Sequence, residues 1–206
     1  MKDFSIISVV KNQEGKGLVV ESNPTDYPLI AKGKHGAIFK LSDDQCVKIF
    51  FQEKTAAQEA DAYKRINGSI ICPKLYEVGP KYIIIEYIEG LTLSEYLEGK
   101  EFISKSLTKK ILLLLQEIKK LGFTNIDMEL QNTIITKDGV LRLVDLACSF
   151  YLNSNQPKLL FKDLEFRGLL DLFMKQVKKI NFQTYLEMKS LHKEFIRNRS
   201  EIIQQN

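Results

Sequence analysis

The run Asn125-Ile126-Asp127-Met128-Glu129-Leu130-Gln131-Asn132, followed by Asp145 in Val144-Asp145-Leu146-Ala147, decides how the rest of the chain is read. A helical pattern stops at Gly122, so Asp127 falls in the loop beyond it. Thr133–Thr136 and Val140–Val144 are short apolar runs around Asp138-Gly139, a two-residue hairpin signal. Asn132 opens this hairpin and Asp145 closes it. The spacing predicts the two side by side, an amide oxygen and a carboxylate suited to a hard cation such as Mg²⁺. Asp127 is expected within reach of an acceptor hydroxyl, to take or orient its proton. Three polar residues at loop ends mean little by themselves, and their weight comes from what precedes them.

Upstream, alternation dominates. Ser5–Val10 and Gly17–Glu21 bracket Asn12-Gln13-Glu14-Gly15 and predict a hairpin. Leu29–Leu41 and Gln45–Phe50 predict a second strand pair, turning at Ser42-Asp43-Asp44. Thr55-x-x-Gln58 has the form of a capping box, so a helix is expected from Thr55 to Ile66, stopped by Asn67-Gly68. Lys74–Val78 and Lys81–Tyr87 form a third pair around Gly79-Pro80. From Gly90 the period becomes helical. Thr92-x-x-Glu95 caps a short helix, and Leu107, Ile111, Leu114, Leu115, Ile118 and Leu121 mark one face of a longer one. Phe166, Leu169, Leu170, Phe173, Val177 and Ile180 fall on one stripe of another, and a last helix covers about Phe182–Ile203. The expected class is α+β in two lobes. Residues 1–88 form an antiparallel sheet with one helix, of which 1–28 is a hairpin extension, and residues 89–206 form a reduced helical lobe, the two making a single domain.

Two features of the first lobe bear on chemistry. In Ile30-Ala31-Lys32-Gly33-Lys34-His35-Gly36-Ala37-Ile38, a tight turn with Gly33 and Gly36 can bring backbone N–H groups close to phosphates, because no Cβ intervenes. An ordinary hairpin turn accounts for it equally well. Lys48, in Cys46-Val47-Lys48-Ile49-Phe50, is flanked by apolar residues that would direct its ammonium into a cleft, with Glu59 on the following helix as candidate partner. Alone, Lys48 reads as an edge-strand lysine and Glu59 as a surface glutamate.

In order and spacing, the Gly33/Gly36 turn, Lys48, Glu59, Asp127-x4-Asn132 and Asp145-Leu146-Ala147 resemble the protein-kinase signature set. The resemblance spans about Leu29 to Phe150. It is nearest to the small atypical bacterial Ser/Thr kinases, and more distant from the RIO-type, Kdo-kinase and aminoglycoside-kinase branches. It implies a minimal protein-kinase-like fold, ATP with Mg²⁺ (or Mn²⁺) as cofactors, and transfer of the γ-phosphate to a hydroxyl of an unidentified protein or small-molecule acceptor. By that resemblance Gly33 and Gly36 cover the phosphates, Lys48 and Glu59 grip them, and Asp127 is the catalytic aspartate. Asn132 and Asp145 hold the metal, and Glu86 and Ile88 offer backbone hydrogen bonds to adenine. Ile30, Ile38, Cys46, Ile85, Ile134 and Val144 sandwich the base, although such residues serve equally as plain core. Several positions depart from the pattern. Asn125 and Ile126 stand where His and Arg are usual, Ala147 ends the metal motif in place of Gly, and Glu129 stands where many kinases have Lys. No Ala-Pro-Glu segment follows. An ATP-binding scaffold without transfer, and a sugar- or aminoglycoside-type kinase, therefore remain open as alternatives.

Composition narrows the remaining classes. Thirty basic against 26 acidic residues leave a net charge of only +4, and the lysines are scattered, so no nucleic-acid partner is expected. Cys46, Cys72 and Cys148 are far apart and sit in apolar contexts, as reduced thiols of a cytoplasmic protein do, without the spacing of a zinc site. The longest Leu/Ile run, Ile111–Leu115, is far below the roughly 18–20 apolar residues that cross a bilayer, so no membrane association is expected. Met1-Lys2-Asp3-Phe4 leads into a strand-like segment without the apolar stretch of a signal peptide. His35 sits at the tip of the glycine turn, where it either touches phosphate or is simply exposed, and His192 is expected on the surface of the last helix.

Overall fold

The computed structural model describes residues 4–12, 17–66 and 68–204, with side chains described as far as Arg197. The expected turn residues Gln13-Glu14-Gly15 and the helix stop Asn67 lie outside them. The chain divides into two units, one of Met1–Glu89 with Arg142–Tyr151, the other of Gly90–Leu141 with Leu152–Asn206.

The first unit begins with a 3-10 turn, Phe4–Ile6, where the sequence suggests the start of a strand. Strands β1 (Ser8–Lys11) and β2 (Leu18–Ser22) then form the antiparallel N-terminal hairpin. Strands β3 (Leu29–Lys32), β4 (Gly36–Lys40) and β5 (Gln45–Phe50) follow, then helix α1 (Glu53–Arg65), β6 (Leu75–Val78) and β7 (Tyr82–Glu86). The sheet order is β3-β4-β5-β7-β6, and the pairings within it are antiparallel. Alternation along the strands gives the sheet two faces. Ala37, Phe39, Val47, Ile49 and Ile84 point to one, where Phe4 and Ile7 join them in a buried cluster with Val9, Val20 and Tyr27 against it. Cys46, Lys48, Phe50, Ile83 and Ile85 point to the other, on the side of α1. Thr55 does not cap that helix. It lies within the first turn, buried, and the helix starts at Glu53 after Gln52, whose side chain makes no cap.

Arg142–Tyr151 joins this unit, where the sequence places everything after residue 88 in the second lobe. The reason is a set of specific bonds. Leu143 N–H donates to the Ile71 carbonyl, Arg142 donates to Glu86 at 2.9 Å and to the Cys72 carbonyl at 2.8 Å, and the Tyr151 hydroxyl donates to Asp61.

The second unit opens with β8 (Gly90–Thr92), antiparallel to β9 (Thr133–Thr136). Helix α2 (Leu93–Tyr96) carries the expected capping box, Thr92 Oγ1 accepting from Glu95 N–H while the Glu95 carboxylate accepts from Thr92 N–H. Helix α3 (Lys105–Lys120) buries Leu107, Ile111, Leu114, Leu115 and Ile118 and is capped by Ser104, a signal the sequence reading missed. A 3-10 turn, Leu130–Asn132, leads into β9, and the chain passes to the first unit along β10 (Leu141–Leu143).

After the chain returns, the stripe from Phe166 to Ile180 proves to be two helices. α4 (Lys158–Phe166) and α5 (Leu170–Ile180) are separated by Arg167-Gly168-Leu169. Gly168 has φ +68° and donates to the Glu165 carbonyl, while Leu169 N–H donates to the Leu164 carbonyl. This is a Schellman termination, which needs the left-handed conformation at its glycine. Phe166 is consequently 87% exposed rather than part of the stripe. Helix α6 (Phe182–Gln204) follows, and α5 packs against both α3 and α6. His192 is not a surface residue. It is only half exposed, and its ring meets Phe161 edge-on at 5.2 Å. No helix among the described residues is long and apolar enough to cross a membrane.

A Cβ added at Gly168 would meet nothing within 4 Å. Gly168→Ala should therefore cost only the backbone strain of a left-handed residue, about 1–2 kcal/mol in urea unfolding. A neutral result would mean that α4 does not end in this way.

Candidate functional site

In the first unit, three predicted residues come together. Lys48 lies on the face of β5 turned towards α1, and Glu59 lies on the buried face of α1. The Lys48 ammonium donates to both Glu59 oxygens, at 2.9 and 2.7 Å, and to Asp145 Oδ1 at 3.0 Å. The Lys48 and Glu59 side chains are 5% and 0% exposed, whereas that of Asp145 is 37% exposed. One ammonium thus satisfies three acceptor atoms, and the only carboxylate with an open side is Asp145. Asp145 is also the one non-glycine among the described residues with positive φ, 61°. Asp tolerates this left-handed conformation better than most residues, at a modest cost in strain.

The charges follow from burial and pairing. Burial opposes the Lys48 ammonium, but Glu59 and Asp145 more than offset it and hold its pKa above the ordinary value. Burial pushes the Glu59 carboxyl up to about 7. Lys48 pulls it back only in part, because Asp145 shares the same cation and repels the second carboxylate. Asp145 is also burdened by burial, yet Lys48 brings its pKa below the usual carboxylate value. Tyr63 is buried in this neighbourhood, and its hydroxyl has no hydrogen-bond partner among the described residues.

The remaining first-unit candidates divide by their place in the sheet. Ile38, Cys46 and Ile85 share the Lys48 face, with Cys46 paired to Ile85 and Ile38 to Lys48 across the strands. Cys46 and Ile85 are buried, while Ile30 is exposed on edge strand β3. Glu86 has already donated its N–H to the Lys74 carbonyl, so what its backbone can offer a base is its carbonyl. Ile88 is buried, and Val144 is half-buried beside Asp145 in sequence. The glycine turn closes through Gly33 N–H to the Gly36 carbonyl at 2.9 Å. Its glycines differ, because a Cβ at Gly36 would stand 2.7 Å from the Ile49 carbonyl oxygen, whereas Gly33 has open space. Gly36 is thus required by the approach of β4 to β5, and Gly33 is the one free to admit a ligand.

In the second unit, Asp127 occupies the loop before the Leu130–Asn132 turn. Its N–H donates to Asn125 Oδ1 at 3.0 Å, and its Oδ1 accepts from Leu159 N–H, in the first turn of α4, at 2.6 Å. Asn125, an unusual residue for this motif, fixes the backbone of Asp127. Burial raises the Asp127 carboxyl to about 6. The Leu159 N–H lowers it, Glu129 and Asp163 add to the rise, and Lys158 opposes it. Glu129 is half-buried and accepts a hydrogen bond from Gln131. Asn132 closes the same turn, its N–H donating to the Glu129 carbonyl at 3.2 Å, and Ile134 follows, half-buried, in β9. Leu159, Lys158 and Asp163 escaped the sequence reading. The only signal for them was the apolar pattern of α4, concealed in a longer stripe.

The buried triad makes a stability prediction. Lys48→Met leaves Glu59 without its cation and should cost about 3 kcal/mol where Glu59 must ionise. Without Lys48 its folded-state pKa rises further above the ordinary 4.5, so the proton is held more tightly in the folded state and the variant loses stability as pH rises. Urea unfolding should show a deficit that grows as pH rises above 7, where the wild-type carboxyl ionises and the variant's does not, and a deficit independent of pH would refute the pairing.

No protein-family model matches the chain. It is 32% identical over 133 residues to "Putative serine/threonine-protein kinase YrzF" of Bacillus subtilis, covering 62% of each chain. It is 29% identical over 129 residues to the serine/threonine-protein kinase cds1 of Schizosaccharomyces pombe, covering 57% of this chain and 28% of that one. The chain therefore spans less than two thirds of the length of either relative. Among solved structures, that of monomeric WbdD superimposes with a TM-score of 0.51 at 17% identity, over 66% of this chain and 37% of that one. A second WbdD structure gives 0.50 at 18% identity, over 67% and 35%. In its sheet-rich unit with a single helix, its helical unit and its two kinase-named relatives, this chain is similar to protein kinases and resembles the small bacterial serine/threonine kinases.

Proposed function

We propose that the chain is a Mg·ATP-dependent phosphotransferase that moves the γ-phosphate to a serine or threonine hydroxyl. The observation that carries this reading is the buried Lys48–Glu59–Asp145 triad. Phosphoryl transfer needs charge held around the phosphates more than it needs covalent help, and a buried lysine fixed by a fully buried glutamate provides a cation that does not wander. The names of the two relatives support kinase chemistry and are the basis for choosing a protein hydroxyl.

All three Lys48 N–H groups are engaged, so gripping a phosphate requires an exchange. Glu59 keeps its bonds, while Asp145, the more open partner, yields its place on Lys48 to a phosphate oxygen. Its carboxylate then becomes available as a metal ligand. Asp145 and the carboxamide of Asn132 are hard oxygen donors of the kind Mg²⁺ accepts, and neither is closed off by a second ion pair. Bound Mg²⁺ supplies neutralisation of the phosphate charge. The carbonyl of Glu86 is the acceptor available for an adenine amino group, with the Cys46–Ile85 surface beside it. Asp127 orients the acceptor hydroxyl and takes its proton, its backbone held by Asn125 and its carboxylate by the Leu159 N–H.

With its carboxyl at about 6, Asp127 works in its ionised form above that pH. Transfer, followed with γ-labelled ATP and a mixture of acceptor proteins, should fall about tenfold per pH unit below 6 and level off above 7. Asp127→Asn should reduce it by roughly a hundredfold or more. Glu129→Gln removes a repelling charge, so it should shift the acid limb to lower pH while transfer persists. A nucleotide that raises the melting temperature without any labelled product would favour the scaffold alternative. Transfer unaffected by Asp127→Asn would reject the assignment.

A further inference from the structure

The segment Arg142–Tyr151 joins the first unit from far along the chain, and the triad is not its only tie to α1. At its end the Tyr151 hydroxyl donates to Asp61 Oδ2 at 2.9 Å. Arg65 Nε donates to the same oxygen at 2.8 Å, and its guanidinium lies 5.2 Å from the centre of the Phe150 ring. Asp61 and Arg65 are an i,i+4 pair, hence on one side of α1. Glu59 lies on nearly the opposite side, buried against Lys48. Between the two ties the chain is tightly wound. Ser149 N–H donates to the Leu146 carbonyl at 3.0 Å, and Tyr151 N–H to the Cys148 carbonyl at 3.4 Å. Asp145 is thus linked to one side of α1 through Lys48, and Tyr151 is linked directly to the other. A ligand affects the two ties differently. The Lys48–Asp145 contact stands where a phosphate would bind, whereas Asp61, Arg65, Phe150 and Tyr151 belong to no part of the proposed site.

We propose that Tyr151 and Asp61 are positioning residues, whose hydrogen bond keeps Asp145 beside Lys48 once a phosphate has taken its place on that lysine. The exchange removes one of the two ties. Upstream, Arg142 and Leu143 stay bonded to Glu86, Cys72 and Ile71, but they fix only the entry to the segment. A segment held at one end alone regains conformational freedom, and a metal would have to order it again before Asp145 could serve as a ligand. With Tyr151 on Asp61 both ends stay fixed, and only the Asp145 side chain has to turn. Arg65 holds the Asp61 carboxylate in the orientation that receives the hydroxyl. Tyr151 is 45% exposed, a setting in which substitution is otherwise close to neutral. The tie stands on these contacts alone. Its effect on metal use rests on the phosphotransferase reading above.

The first test is hydrogen exchange at the amides of residues 149 and 151, read by ¹⁵N NMR, whose spectra also show that each variant is folded. Asp145→Gly removes the tie to Lys48 and accepts the left-handed backbone at that position. In this variant the two amides should stay protected. Adding Tyr151→Phe should speed their exchange about tenfold, the value of one hydrogen bond to a charged group. Asp61→Asn, which keeps an acceptor for the hydroxyl, should speed it less than Asp61→Ala. Amides unprotected in Asp145→Gly alone, or unchanged by adding Tyr151→Phe, overturn the proposal. The second test is the Mg²⁺ dependence of transfer from γ-labelled ATP, with ATP saturating so that Lys48 is occupied throughout. Tyr151→Phe should raise the Mg²⁺ concentration for half-maximal rate about fivefold, with the maximal rate and the ligand-free melting temperature nearly unchanged. An active Tyr151→Phe variant with unaltered Mg²⁺ dependence overturns the positioning role alone. The expected exchange pattern in a protein that transfers no phosphate upholds the tie and rejects the phosphotransferase reading.

Discussion

An ammonium group withdrawn from water is the constraint around which the first unit is arranged. Removing such an ion from solvent costs several kcal/mol after relaxation, and Lys48 is 96% buried. The cost is offset only if carboxylates reach it from outside its own strand. Glu59 does so from α1 and Asp145 from the segment that follows β10. The position of α1 against the sheet and the inclusion of Arg142–Tyr151 in this unit are thus two consequences of one buried charge. Arg142 reinforces the second, bonding Glu86 on β7 and the Cys72 carbonyl. Even the left-handed backbone of Asp145 fits this account, since it is held by what surrounds it rather than by a glycine.

What the sequence made legible was local or conformed to a spacing. The capping box Thr92/Glu95, the buried face of α3, the local strand pairs β4–β5 and β6–β7 and the Lys48–Glu59 pair were readable as patterns, whereas the β5–β7 pairing that joins them across α1 was not. Periodicity failed where two helices shared one stripe. Phe166 and Leu169 satisfy a helical repeat on paper, but Gly168 turns the chain between them, and the packed side of α4 is carried by Leu160, Phe161 and Leu164. Thr55 misled for a related reason. Its spacing to Gln58 imitates a cap, but the strand ends early enough for α1 to begin at Glu53. The bond from Leu159 to Asp127 spans 32 residues, and no local rule connects a helix start to a loop so far away.

The departures from the kinase pattern acquire physical roles in the second unit. Asn125 provides the side-chain oxygen that holds Asp127 N–H, so the loop is fixed without the usual His. Thr133 fixes the following turn, its hydroxyl donating to the Glu129 carbonyl at 3.0 Å. Glu129 is the costly member of the motif. It stands close enough to Asp127 to raise its carboxyl, and Lys158 is the cation that opposes it. A lysine on α4 thus works against the charge that a lysine in the loop itself would have offset.

The two units share one electrostatic property, each considered on its own. In the first, Glu59 and Asp145 face one lysine, leaving one negative charge in excess when all are ionised. In the second, Asp127, Glu129 and Asp163 stand against Lys158, leaving two. Unit charges about 5 Å apart interact by roughly 3 kcal/mol at an effective dielectric near 20. A triphosphate approaching either group without a cation therefore meets net repulsion, since the single ammonium of Lys48 is already taken. Dependence on a divalent ion, in the function proposed, would then arise from the chain's own charge balance as much as from the chemistry of the transferred group. The same balance explains why a fully buried glutamate is useful here. By holding Lys48 from behind, Glu59 allows Asp145 to leave the lysine without leaving that lysine unpaired.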